Sequence, residues 1–84
     1  MDVEEYAWVK ASGYREKILL ALASKPKPPK EISEQTGYYL SHVSNTLSDL
    51  EDHGLAECIT PERRKGRLWA TTEEGDEIVQ DLQK

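Results

Sequence analysis

Two helical patterns separated by only three residues constrain the fold of this chain more than any other feature. The first pattern, residues 29–36, begins with a proline, which fits the first position of a helix, and ends before Gly37, which suits the left-handed conformation that follows a helix. The second pattern has apolar residues at spacings of three, four and three, and it predicts a helix with one stripe facing the core: Leu40, Val43, Leu47 and Leu50. The short connection Gly37-Tyr38-Tyr39 therefore predicts a helix-turn-helix unit.

The elements around this unit are also visible in the sequence. Residues 13–24 have helical apolar spacing and predict a helix that stops at the proline-rich segment 25–29, because prolines lack the backbone N–H that a helix needs. Residues 55–60 and 67–72 predict the two strands of a hairpin. Thr71 or Thr72 can cap a last helix, whose apolar side is Ile78, Val79 and Leu82. The expected order is helix, helix, helix, strand, strand, helix. This is a mainly α chain with a small β-hairpin (α+β), arranged as a winged helix-turn-helix.

The chain is short and acidic, with one basic exception. Its 84 residues allow one domain, residues 1–84, and leave no room for a second core. The formal net charge is −5, and residues 38–60 and 73–84 each contribute −4. The only basic cluster lies at the tip of the predicted hairpin and consists of Arg63, Arg64, Lys65 and Arg67. Cations at a hairpin tip can follow a phosphate backbone or enter a minor groove, so the cluster favours a nucleic-acid partner.

The sequence carries no motif of an enzyme or of a tight metal site. It lacks a Gly-rich phosphate loop, a Cys pair and a His-Glu-x-x-His run, and His53 with Cys58 offers too few metal ligands. No apolar run approaches the ~20 residues of a membrane span, and the acidic start of the chain is unlike a basic secretory signal. We therefore expect a cytoplasmic protein without catalytic activity, cofactor, bound metal or membrane partner.

Five short segments follow one recognisable order along the chain. They are residues 31–37 (EISEQTG), 41–47 (SHVSNTL), 50–55 (LEDHGL), 63–69 (RRKGRLW) and 72–75 (TEEG). In this order they resemble the winged helix-turn-helix transcription regulators of the MarR and ArsR type, particularly their small archaeal members, over about residues 13–82. The resemblance implies a nucleoid-associated regulator of double-stranded DNA, with the second helix of the unit in the major groove, the wing on DNA and repression by occlusion.

The exposed face of the second helix is expected to read bases. A step of roughly 100° per residue turns Ser41, His42 and Asn45 away from the apolar stripe, and such short polar side chains can bond base edges. The resembled family contacts DNA or caps the helix at the position of Ser44. The full predicted base-contacting set is Tyr39, Ser41, His42, Ser44 and Asn45, and the predicted backbone-contacting set is Tyr38, Arg63, Arg64, Lys65 and Arg67. The alternatives are a merely solvated helix face and wing, and tyrosines that only pack on the domain.

Apolar side chains at both ends of the chain exceed what so small a core easily covers. They are Tyr6, Trp8, Val9, Ile78, Val79 and Leu82. We predict that they form a homodimer interface, with residues 1–12 as an N-terminal extension and candidate dimerisation segment. In the resembled family, the terminal helices pair two subunits on half-sites roughly one helical turn apart. A small-molecule effector is not evident, because so short a chain leaves little space for a pocket outside a dimer interface.

The acidic charge supports one alternative from a different functional class. Negative charge on residues 38–60 and 73–84 repels a duplex that approaches from the wrong side. This favours a winged-helix module that binds a protein and not DNA. Binding to a duplex at low salt distinguishes the two functions, because the protein-binding module would not show it.

Overall fold

Helices form wherever the apolar spacing predicts one, and a further helix forms at the N-terminus. The computed structural model describes residues 2–84. Within them the elements are α1 (Val3–Lys10), α2 (Gly13–Ser24), α3 (Pro29–Thr36), α4 (Leu40–Asp52), β1 (Ala56–Cys58), β2 (Trp69–Thr71) and α5 (Glu73–Leu82). The architecture is mainly α with a small β-hairpin, as predicted. Its order differs from the predicted one by the additional first helix.

Helix α1 begins at a cap that the apolar spacing does not reveal. The Asp2 Oδ1 atom accepts hydrogen bonds from the backbone N–H groups of Glu4 (3.0 Å) and Glu5 (3.3 Å). These bonds satisfy donors that the first turn of a helix leaves free. Near the other end of α1, Val9 is completely buried. Residues 3–10 therefore belong to the folded body of the domain.

Helix α2 lies at the centre of the molecule and contacts α1, α3, α4, α5 and β2. Its Ile18, Leu19 and Leu22 side chains are buried, and Ile32 of α3 joins them in the same core. The Ser12 hydroxyl caps the start of α2 by accepting from the N–H of the third helical residue. No helix within residues 2–84 is both long and apolar enough to cross a membrane.

The stripe predicted for α4 is confirmed at three of its four positions. Val43, Leu47 and Leu50 have no exposed surface, and Thr46 is also buried. Leu40 was predicted to face the core and is instead 50% exposed. It is the first residue of α4, and the side chains of a first helical turn lean back beyond the end of the helix. Leu40 therefore extends past the core and into the surface described below.

Three of the six side chains predicted to form a dimer interface lie in the core of the single chain. Val9, Ile78 and Val79 are at most 5% exposed, because α1 and α5 both pack on α2 and enlarge the core. The structure corrects their assignment, since side chains inside the core are not available to a second subunit. The other three are half-buried at the margin of the core, and their interface role stays a prediction: Tyr6, Trp8 and Leu82.

The strands of the hairpin are shorter than predicted. They pair antiparallel only over Ala56–Cys58 and Trp69–Thr71. A third backbone segment joins them at Lys27, whose N–H donates to the Trp69 carbonyl (3.0 Å) and whose carbonyl accepts from the Trp69 N–H (2.9 Å). The remaining hairpin residues form a loop, 59–68, in which a proline and a glycine with a φ of 65° turn the chain away from ladder geometry.

Candidate nucleic-acid interface

Hydrogen bonds fix the turn between α3 and α4. Gly37 is left-handed (φ 80°), and its N–H donates to the Ser33 carbonyl (2.9 Å), which closes the end of α3. The Ser33 hydroxyl donates to the Tyr38 carbonyl (2.5 Å), and the Thr36 hydroxyl accepts from the Tyr38 N–H (3.3 Å). These bonds set the direction in which the chain enters α4. Helices α3 and α4 thus form the predicted helix-turn-helix unit.

The exposed face of α4 carries the residues predicted to contact bases. Ser41, His42, Ser44 and Asn45 are all exposed, whereas Val43 between them is completely buried. The first turn of α4 contains no acidic residue, and no side chain caps its backbone N–H groups. A negatively charged partner therefore meets hydrogen-bonding groups and the positive end of the helix dipole here.

An aromatic cluster surrounds the start of α4. The Tyr14 ring lies edge-on to Tyr38 with centroids 4.5 Å apart, and its centroid is 5.0 Å from that of His42. Tyr38 is half-buried and its hydroxyl donates to the Gly13 carbonyl (3.5 Å), whereas Tyr39 is 79% exposed. The ring of Tyr38 therefore packs on the domain while its hydroxyl bond lies at the surface, and Tyr39 projects beside α4. Sequence reasoning did not single out Tyr14 as part of this surface, because its spacing is that of the α2 core stripe.

The four cations of the predicted wing are exposed on the loop between β1 and β2: Arg63, Arg64, Lys65 and Arg67. Thr60 organises this loop, because its carbonyl accepts from the Arg63 N–H (3.1 Å) and its hydroxyl accepts from the Leu68 N–H (2.8 Å). The Arg67 Nε donates to the Arg63 carbonyl. Among residues 2–84, the ion pairs within 4.0 Å involve none of these four cations. Their charge is therefore available to an external anion.

The wing tip and the start of α4 lie on two sides of one groove. Leu40 and Ser44 line the groove from α4, Lys65 and Gly66 line it from the wing, and residues 28–30 line it from the start of α3. The structure thus brings Ser44 of the predicted base-contacting set and Lys65 of the predicted backbone-contacting set to the same groove. Together the two sets form the α4–wing surface, defined here as residues 38–45 and 63–67.

A buried lysine holds the wing against the helices. Lys27 is only 3% exposed, and its Nζ donates to the Ala21 carbonyl, to the Ser24 hydroxyl (2.9 Å) and to Gln35 Oε1 (2.7 Å). Its backbone also pairs with Trp69 of β2. One residue therefore connects the end of α2, the helix α3 and the wing. The sequence gives no signal for this role, because lysine is almost never fully buried.

Acidic side chains gather at the opposite end of α4. His53, which follows the last residue of α4, lies 2.8 Å from the Glu5 carboxylate (Nδ1 to Oε2) and stacks on Trp8 with centroids 3.5 Å apart. Glu74 and Glu77 of α5 line the cavity beside this His53 ring. No three His, Cys, Asp or Glu side chains within residues 2–84 are grouped to hold a metal ion. The positive and negative regions therefore lie at different ends of α4.

The contacts that fasten α1 to α2 lie outside the α4–wing surface. A hydrogen bond from Lys10 to Glu16 (3.1 Å), together with the charge of Glu16, raises the pKa of Lys10 above its ordinary value of 10.5. The Arg15 guanidinium lies 4.1 Å from the centroid of the Trp8 ring and donates to the Trp8 carbonyl (2.9 Å). Arg15 is thereby occupied within the domain.

The helix-turn-helix unit and its surroundings match a known family. A family model for the IclR helix-turn-helix domain matches residues 17–58, which is half of the chain. The chain belongs to the IclR helix-turn-helix domain family. The match runs from α2 to β1 and includes the whole of α3 and α4. Among curated proteins there is no significant match. A helix-turn-helix family is thereby confirmed, and the MarR or ArsR type stays a prediction.

Solved structures share the fold. ZitR from Lactococcus lactis matches with a TM-score of 0.76 and 20% identity, over 86% of this chain and 50% of its own. FabT from Streptococcus pneumoniae, solved in complex with DNA, matches with a TM-score of 0.71 and 19% identity, over 96% and 62%. The homodimeric winged helix-turn-helix DNA-binding domain Mb0332 from Mycobacterium bovis matches with a TM-score of 0.76 and 26% identity, over 96% and 74%. These similarities confirm the winged helix-turn-helix fold. The chain spans about half the length of ZitR.

Proposed function

We propose that the chain is a DNA-binding transcription regulator, with the start of α4 in the major groove and the wing on the phosphate backbone or in the adjacent minor groove. The observation that carries the proposal is the α4–wing surface, where Ser44 of α4 and Lys65 of the wing line one groove. The other hydrogen-bonding side chains at the start of α4 and the other three wing cations are exposed close to them in the sequence. Membership of the IclR helix-turn-helix domain family supports it, and so does the similarity to FabT, which was solved with DNA.

The proposed roles follow the chemistry of each side chain. Asn45 can form two hydrogen bonds with an adenine edge, and the hydroxyls of Ser41 and Ser44 can bond several kinds of base edge. His42 and Tyr39 complete the proposed base-reading set. The residues proposed to bind phosphate are Tyr38 and the wing cations Arg63, Arg64, Lys65 and Arg67. Phosphate contacts fix the position of a protein on DNA, whereas base contacts supply the sequence preference.

The proposed regulator acts by occupying DNA. Its few cations imply about three to five phosphate contacts per subunit and therefore a shallow dependence of affinity on salt. Repression by occlusion needs nothing beyond such occupancy, and neither catalysis, a cofactor nor a small-molecule effector is part of the proposal. The place of action is the nucleoid in the cytoplasm. The MarR or ArsR type is supported by Mb0332, whose description is a possible ArsR-family regulator.

A homodimer is also part of the proposal. Tyr6, Trp8 and Leu82 lie at the margin of the core, and Val3 on α1 is 70% exposed, so apolar surface remains on the terminal helices for a second copy. The Mb0332 domain is homodimeric. Two copies related by a two-fold axis would place their α4 helices on half-sites roughly one helical turn apart, which predicts a pseudo-palindromic site.

Fluorescence anisotropy with a pool of random labelled duplexes tests the proposal. The wild type is compared at low and moderate salt with a wing variant in which Arg63, Arg64, Lys65 and Arg67 are replaced by Gln. The matched control replaces Lys10, Lys17, Lys25 and Lys84 by Gln, since these four cations lie outside the α4–wing surface. Both variants lower the net charge by four, so a difference between them reports position and not total charge.

We expect salt-sensitive binding by the wild type and the control, and loss of binding by the wing variant. Equal loss in both variants would show that total charge, and not the wing, is responsible. Absence of binding by the wild type at low salt would overturn the proposal. It would favour the protein-binding module, for which the acidic groups around His53 at the other end of α4 are the specific observation.

A further inference from the structure

Leu40 is an exposed aliphatic side chain at the start of the helix proposed to enter DNA. It is 50% exposed, although its position in the apolar stripe of α4 predicts burial. Because the core does not use Leu40, its apolar surface is available to a partner of α4.

The surroundings of Leu40 combine apolar and basic character. Pro28 and Pro29 at the start of α3 line the groove next to it, and Ser44 lies one helical turn further along α4. Lys30 and Lys65 stand at the sides of the same groove and are exposed. A purely apolar protein surface has no counterpart for these two cations. A duplex has one, because phosphates line both edges of its grooves.

Only one apolar group is displayed on base edges in the major groove, and it is the 5-methyl group of thymine. We propose that Leu40 packs against a thymine methyl group while Ser44 bonds the edge of a neighbouring base, so that Leu40 selects thymine at one position of each half-site. This inference rests on the proposed DNA-binding function and names a specificity-determining residue outside the polar set. Covering one methyl group implies a preference of about fourfold in Kd for thymine over the same base without its methyl group.

Replacing thymine by uracil in the duplex isolates this contact. The exchange removes the methyl group and keeps every hydrogen-bonding group of the base. A preferred duplex is first selected from the random pool with the wild type, and each dT is then replaced by dU, one position at a time. Anisotropy titrations compare wild type, Leu40→Ala and the matched control Ile59→Ala, which truncates another half-exposed aliphatic side chain outside the groove (43% exposed).

We expect the wild type and Ile59→Ala to lose about fourfold in affinity at one dU position. Leu40→Ala should bind the dT and dU duplexes equally at that position. Leu40→Met, which keeps an apolar side chain, should retain the preference, and Leu40→Gln, which keeps the length but not the apolar character, should lose it. The last two variants keep the experiment decisive if Leu40→Ala unfolds.

Three other outcomes would overturn the inference, and the experiment distinguishes them. If the wild type binds duplexes but every dU substitution is neutral, no methyl group is read, and DNA binding stands without the role of Leu40. If wild type and Leu40→Ala lose affinity equally, another residue reads the methyl group. If the wild type binds no duplex, both this inference and the proposed function fail.

Discussion

Gly75 provides a demanding test of how closely α5 approaches the backbone at Leu55. It is a buried residue of α5, and a Cβ atom built on it would lie 2.0 Å from the Leu55 carbonyl oxygen and 3.3 Å from the Thr71 Cβ. The first contact is with backbone, so no change of side-chain rotamer can relieve it. Gly75→Ala therefore forces α5 and the chain at Leu55 apart by about 1 Å, since Cβ contacts below 3.0 Å essentially never occur.

The size of the effect follows from the bonds at this junction. The Thr72 hydroxyl donates to the Gly54 carbonyl (2.6 Å), and the Thr72 N–H donates to the Leu55 carbonyl (3.1 Å). A 1 Å displacement weakens both bonds, each worth about 1 kcal/mol, and the strain of the forced contact adds about 1–3 kcal/mol. The better helix propensity of alanine offsets about 1 kcal/mol of this loss in the free energy of unfolding. We expect the free energy of unfolding to fall by about 2–4 kcal/mol.

Urea unfolding followed by tryptophan fluorescence measures this change, and thermal unfolding should show a Tm lower by about 10–25 °C. Gly13→Ala is the matched control, because a Cβ at Gly13 meets nothing within 4 Å and its φ is not positive. It should leave the free energy of unfolding unchanged or raise it by up to about 1 kcal/mol. Equal stability of Gly75→Ala and the wild type would refute the close approach of α5 to Leu55.

Two further predictions concern the anchoring of the wing and the reading of DNA. Lys27→Met removes the donor to the Ala21 carbonyl and to Gln35 and should lower the free energy of unfolding by about 1–3 kcal/mol in a urea titration; an unchanged midpoint would contradict the anchoring role. Asn45→Ala should reduce the preference among duplex sequences, whereas Arg64→Ala should weaken all duplexes alike and lower the salt slope by about one. Equal effects of the two on sequence preference would contradict the proposed division of roles.

The elements that could be predicted from the sequence are those fixed by local chemistry. Pro29 and Gly37 delimit α3 because their backbone preferences need no tertiary partner. Val43, Leu47 and Leu50 reveal the inner face of α4 because a helical period is short-range. The same period places the exposed polar residues of α4 correctly relative to that stripe. The fold class therefore follows from the sequence.

The features that could not be predicted depend on distant parts of the chain. The partners of Lys27 come from α2, α3 and β2, so its burial follows only from the assembled domain. Helix α1 has no apolar periodicity, and it is stabilised by the Asp2 cap and by Val9 in the core. Leu40 has the correct spacing for the core but lies at the helix end, where periodicity does not tell how far the core extends.

The charge distribution explains how an acidic chain can present the proposed DNA-binding surface. The wing lies beside the first residues of α4, whereas Glu5, Glu74 and Glu77 lie around His53 after its last residue. A helix of 13 residues is about 20 Å long, which is roughly twice the Debye length of about 10 Å at 0.1 M salt. At that ionic strength the acidic end is largely screened from phosphates at the wing. At 0.01 M salt the Debye length is about 30 Å, so the acidic end is no longer screened from those phosphates. We therefore expect the gain in affinity on lowering the salt to level off toward 0.01 M, because repulsion by the acidic end then opposes attraction by the wing.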